Sequence, residues 1–93
     1  MIAIDDRLSP PDHVFAREFD GEIIVLDLDA GLYYGLDSVA SAIWHGAITD
    51  GKTLRQVASE MLRRYDVEEG QVTTDVLQLA NTWEERGLVR RMT

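Results

Sequence analysis

The stretch EIIVLDLDAGLYYGL, from Glu22 to Leu36, decides the fold. Two runs of strand character flank the turn Asp29-Ala30-Gly31, since β-branched, aliphatic and aromatic residues lie on either side of residues that favour a tight reversal. In the first run Ile24, Leu26 and Leu28 share one face by the period of two, and Ile23, Val25 and Asp27 share the other; one face is better suited to the core. In the second run Leu32, Tyr34 and Leu36 are in one phase, with Tyr33 and Gly35 in the opposite phase. Three helical segments follow and no further strand is obvious. The second run is therefore expected as the last strand of a small sheet, an unpaired edge with free N–H and C=O groups.

Upstream, His13 to Phe19 alternates imperfectly and runs into Asp20-Gly21, the strongest short hairpin signal, so a further strand should pair with Glu22 onward and complete a three-stranded meander. Residues 1–12 carry Pro10-Pro11 and no sustained period. They read as a loosely held, extended N-terminal arm in front of a single domain, residues 13–93.

Downstream, Asp37 or Ser38 can cap a helix running to about Ile48, with Ala40, Ile43, Trp44 and Ala47 on one stripe. Thr53 and Gln56 form a capping-box pattern before a helix with Leu54, Val57, Ala58, Met61, Leu62 and Tyr65 on its apolar side. Asp66 with Glu69 predicts the start of a third helix carrying Val72, Val76, Leu79, Ala80 and Trp83. Gly87-Leu88 reads as its left-handed cap. The fold class is thus α+β and winged-helix-like: a three-stranded antiparallel sheet followed by three helices.

A chain of 93 residues supports one core. Seventeen acidic against nine basic side chains, net −8, argue against a duplex nucleic-acid partner, which needs clustered Lys and Arg. The absence of cysteine removes disulfides, thiolate metal sites and cysteine nucleophiles, and fits a reducing compartment. No apolar run approaches the ~18–20 residues of a membrane span, and the N-terminus is acidic where a signal peptide is basic. A cytoplasmic protein with no membrane partner is expected.

The pattern LDLDAGLYYGLD, then Ile43-Trp44, Asp66-Val67, Asp75-Val76 and Gly87-Leu88, resembles the PqqD-like family, the RiPP recognition elements that bind leader peptides of ribosomally made, post-translationally modified peptides. The likeness covers roughly residues 13–89, and its free-standing form with a strong Tyr-Tyr segment is most similar to the leader-binding proteins of split lasso-peptide biosynthesis systems. The resemblance implies a non-catalytic module without a cofactor, serving a leader protease or another modifying enzyme. The precursor leader peptide would add as an antiparallel strand on the third strand, beside the third helix. By the same resemblance Leu32, Tyr33, Tyr34, Gly35 and Leu36 would form the ladder, while Val72, Asp75, Val76, Leu79 and Trp83 would shape the groove. Main-chain bonds would supply affinity and side-chain pockets the selectivity. Lasso leaders offer a Tyr and a Pro as anchors, which implies an apolar pocket, and Trp83 stands where a smaller aliphatic residue is expected.

Each feature has a plainer reading. Tyr33 and Tyr34 can be ordinary strand residues, and Val76, Leu79 and Trp83 ordinary core. Ser41 and His45, four apart with Asp37 a turn earlier, lack the strained elbow and oxyanion hole of a hydrolytic triad. His13 and His45 match no metal-ligand spacing, and Asp27 with Asp29 reads as a solvated turn. Arg55, Arg63, Arg64, Arg86, Arg90 and Arg91 suit solvated helix faces and C-termini, or a contact for an acidic stretch of leader or for a partner enzyme. The alternative function is a winged-helix DNA-binding regulator, opposed by Asp75, Glu84 and Glu85 on the third helix, where a DNA-reading helix needs Arg, Lys, Asn or Gln. The edge strand admits a monomer or a weak homodimer paired through that edge.

Overall fold

The computed structural model describes residues 1–92. Its elements in chain order are β1 (Leu8–Ser9), β2 (Val14–Phe19), β3 (Glu22–Asp27), β4 (Leu32–Gly35), α1 (Ser38–Trp44), a π-helical turn (His45–Thr49), α2 (Leu54–Arg64), α3 (Glu69–Glu85) and β5 (Arg90–Arg91). Strands β2, β3 and β4 form the antiparallel meander in that order, and β1 pairs separately with β5. The three-stranded sheet followed by three helices is as expected; the β1–β5 pair is additional.

Asp20 and Gly21 both have positive φ, 51° and 82°, as a two-residue hairpin with the strand-matching twist demands. The resulting register sets Phe15 opposite Leu26 and Leu26 opposite Tyr33, so these three share the outer face of the sheet. The inner face carries Ile23, Val25 and Asp27, all buried. Strand β3 thus turns Ile24 and Leu26 away from the helices, and Leu28, just past its end, is exposed as well.

Asp37 caps α1 by accepting from the Ala40 amide at 2.8 Å. The expected continuation to Ile48 takes a wider form: the Asp50 amide reaches the His45 carbonyl at 2.9 Å, five residues back. Gly46 lies in this turn against α2, where an added Cβ would meet Val57 at 3.0 Å. Thr53 and Gln56 form the capping box that the sequence predicts. Asp66 does not start α3; Glu68 occupies the cap position and makes no side-chain capping bond. At the other end Gly87, at φ 74°, lets the Leu88 amide reach back to the Trp83 carbonyl, and Leu88 is fully buried.

The N-terminal segment is not loosely held. Ile2 and Leu8 are buried, and the carbonyls of Ile4 and Asp6 accept from Arg55 and Leu54, two first-turn amides of α2 that have no partner within their own helix. Asp5 reinforces the join with a two-pronged hydrogen bond from Arg55. Pro11 opens the turn into β2, its carbonyl accepting from the Val14 amide at 3.0 Å. At the centre of the core the rings of Trp44 and Trp83 meet edge to face, 5.1 Å apart at 78°, and each is 1% exposed.

Candidate functional site

The β3–β4 connection is built by Asp27. Its carboxylate, buried rather than solvated, accepts from the amides of Asp29 and Ala30 at 3.1 Å each. Gly31, at φ 70°, closes the turn with its amide 2.9 Å from the Asp27 carbonyl. The His13 imidazole sits over this turn, 3.9 Å from Asp27 and 3.6 Å from Asp29. An aspartate followed by amides two and three residues on is the sequence signal for such a turn, here hidden because Asp27 also ends a strand.

Among the described residues strand β4 pairs on one side only. The Leu36 amide donates to the Ile23 carbonyl at 2.8 Å, which fixes the alternation: Leu32, Tyr34 and Leu36 turn their main-chain groups toward β3. Tyr33 and Gly35 therefore turn theirs outward along the open edge. Their side-chain positions face the outer surface, with Tyr33 74% exposed, while Tyr34 is half-buried against the core and Leu36 is buried.

Between α1 and α3 lies a cleft of about 430 Å³. Asp37, Val39, Ala40 and Ile43 line one side, and Asp75, Gln78, Leu79 and Thr82 the other. On α3 and its C-terminal cap the spacing of Asp75, Leu79, Thr82 and Arg86 by four, three and four residues makes one helical stripe. At its far end the Arg86 guanidinium stacks on the Tyr34 ring, 5.2 Å from the centroid, and so joins α3 to β4. Of the α3 residues expected to shape a groove, Asp75 and Leu79 border this cleft, whereas Val72, Val76 and Trp83 are buried in the core behind it. The α1 contribution escapes a reading by sequence pattern, because it depends on how the helices dock; of Arg86 the pattern shows the charge but not its seat on Tyr34.

Ser41, His45 and Asp37 do not converge. The Ser41 hydroxyl is buried, accepting from the Ile23 amide and donating to the Leu36 carbonyl. His45 faces Asp50 at 3.4 Å, and the Asp37 carboxylate is engaged as the α1 cap. A polar hollow of about 470 Å³ beside His45 is balanced by its own charges, Lys52 pairing with both Asp50 and Glu60. No helix among the described residues is long and apolar enough to cross a membrane.

In sequence the chain matches the family described as Coenzyme PQQ synthesis protein D (PqqD) over residues 22–89. Among solved structures it is similar to TbiB1 in complex with the TbiA(β) leader peptide, at 26% identity and a TM-score of 0.84, over 91% of this chain and 98% of that one. It is also similar in fold to a lasso peptide synthetase B1 complexed with the leader peptide, at 24% identity and a TM-score of 0.81, over 92% of this chain and 98% of that one. No curated protein matches it in sequence.

Proposed function

The chain belongs to the PqqD family, and on that premise we propose that it is a non-catalytic module that captures the leader of a ribosomally made precursor peptide and presents it to a partner enzyme such as a leader protease. The leader adds as an antiparallel strand on β4. The outward main-chain groups of Tyr33 and Gly35 form the ladder, within the segment Leu32 to Leu36, and leader side chains enter the cleft bordered by Asp75 and Leu79. Val72, Val76 and Trp83 support that cleft from within the core. The observation that carries this reading is an open β4 edge together with an α1–α3 cleft that starts at Asp37, two residues beyond β4, in a chain whose fold matches that of TbiB1, a protein solved with a leader peptide. A lasso-type leader and a cytoplasmic setting complete the proposal.

Strand addition suits such a task because the main chain supplies affinity for any extended peptide while pockets choose among sequences. Ordering a flexible leader costs several kcal/mol, so affinity falls roughly between micromolar and nanomolar. Duplex DNA is disfavoured by the exposed acids of α3, Glu69, Asp75 and Glu85, in a chain of net charge −8. The test is fluorescence anisotropy of a labelled leader, taken from the precursor encoded nearest the gene, titrated with the protein alone and with the neighbouring protease. Saturable binding supports the module. Absence of binding in both arms overturns it and makes duplex DNA the next probe.

A further inference from the structure

Charges of opposite sign stand at the two ends of the α3 stripe that borders the α1–α3 cleft. Asp37, at the start of α1, and Asp75, on α3, both line one cleft, while Arg86 stands over Tyr34 at the other end of the α3 stripe. Asp37 accepts from the Ala40 amide and Asp75 from the Gln71 side chain, both neutral donors. Among the described residues neither carboxylate, nor the Arg86 guanidinium, belongs to an ion pair. By contrast Asp5, Asp50 and Glu60 each face a cation.

The order of these charges along a bound peptide follows from chain direction. Strand β4 runs from Leu32 through Tyr34 toward Asp37, so a strand added antiparallel to it passes the Asp37–Asp75 end first and the Tyr34–Arg86 end second. Tyr34 and Asp37 are three residues apart, about 10 Å of extended chain. Asp75 and Arg86 are eleven residues apart, about 16 Å along the helix axis.

Resting on the leader-binding function proposed above, we propose that the groove selects leaders by charge order. It takes a Lys or Arg on the N-terminal side of the added strand and an Asp or Glu about three to five residues later. In the empty protein Arg86 rests on the Tyr34 ring. On binding it moves to the leader carboxylate and uncovers that ring for an apolar leader side chain. Each contact is a partly exposed ion pair, so the effect is on choice of sequence more than on total affinity.

The experiment uses the full chain and the fluorescently labelled leader of the precursor encoded nearest the gene, with synthetic versions in which each charged residue is reversed in turn. Asp37→Asn keeps an equally good cap, and Asp75→Asn and Arg86→Glu change exposed positions, so folding is checked by circular dichroism and expected unchanged. Arg86→Glu is expected to weaken the natural leader about three- to tenfold, and to be rescued by reversing one acidic leader residue on the C-terminal side. The two Asn variants are expected to lose discrimination for one basic residue on the N-terminal side. The preferences should fade at about 0.5 M salt. If the natural leader binds saturably but no variant or reversal changes its Kd by more than about twofold, charge order is overturned and leader binding stands. If no leader binds, with or without the neighbouring protease, both readings fall.

Discussion

Ser41 Oγ lies 2.8 Å from the Ile23 amide, inside the core, and the same hydroxyl donates to the Leu36 carbonyl at 3.1 Å. One side chain of α1 thus closes the ends of β3 and β4 against the helix, and the Leu36 amide returns a bond to the Ile23 carbonyl. Ser41→Ala leaves a buried amide without its acceptor. We expect a loss of about 1–3 kcal/mol in urea denaturation. A loss below a few tenths would mean that another acceptor or water takes over.

The Trp44–Trp83 contact predicts a second stability effect. Trp83→Ala removes a fully buried ring and its edge-to-face partner, at a cost of about 3–5 kcal/mol. That is a large share of the ~5–15 kcal/mol typical of a domain, so the variant should be marginally folded by circular dichroism. Trp83→Phe keeps a ring and should retain most of the stability. If Trp83→Phe folds normally yet binds leader much more weakly, Trp83 shapes the groove as well as the core.

Strand addition predicts an alternation along β4. Gly35→Pro deletes an outward amide on the open edge, where proline is tolerated, and should weaken leader binding about three- to tenfold with little change in melting temperature. Tyr34→Pro deletes an amide turned toward β3 and should destabilise the fold itself. Equal leader affinity for wild type and Gly35→Pro would remove the ladder from the account.

The Asp5–Arg55 pair fastens the N-terminal segment to α2. The hydrogen bond from Arg55, aided by its charge, holds the Asp5 carboxyl below its ordinary value. A carboxylate depressed in the folded state stabilises above its unfolded pKa, and that contribution is lost as pH falls through the folded pKa. The melting temperatures of wild type and Asp5→Asn should therefore differ slightly at neutral pH and converge in acid. A gap that persists in strong acid would assign the difference to something other than this ionisation. Lys52 behaves oppositely: the hydrogen bond to Glu60 raises its pKa, so its small contribution is present at neutral pH and lost as pH rises through the raised value.

Local chemistry made much of the fold legible. Asp20-Gly21 can take positive φ at both positions, and Thr53 with Gln56 can only be read as a capping box before the apolar stripe of α2. Other features depend on distant partners. Residues 8–9 and 90–91 form strands too short to show a period, and each is specified by the other. The π-helical turn has the same apolar spacing as an α-helix, and within it Gly46 lies close against Val57 of α2, a residue far enough along the chain to leave no local signal. For the candidate site, the open strand was readable from the order of elements. The division of α3 was not: Val72, Val76 and Trp83 face inward while Asp75 and Leu79 border the cleft, a difference set by the docking angle of the helix.

The pairing of Leu8 with Arg91 joins residues more than eighty positions apart, the kind of loop whose closure entropy is met late. The β2–β3 hairpin and the helix pair can form from near neighbours, whereas the β1–β5 pair must wait for both ends of that loop to meet. Residues 8–9 thus complete their pairing only after α3 and the strand that follows it have been made. The segment before them has nearer anchors, since the Ile4 and Asp6 carbonyls meet α2 and the Ile2 amide meets Asn81 of α3.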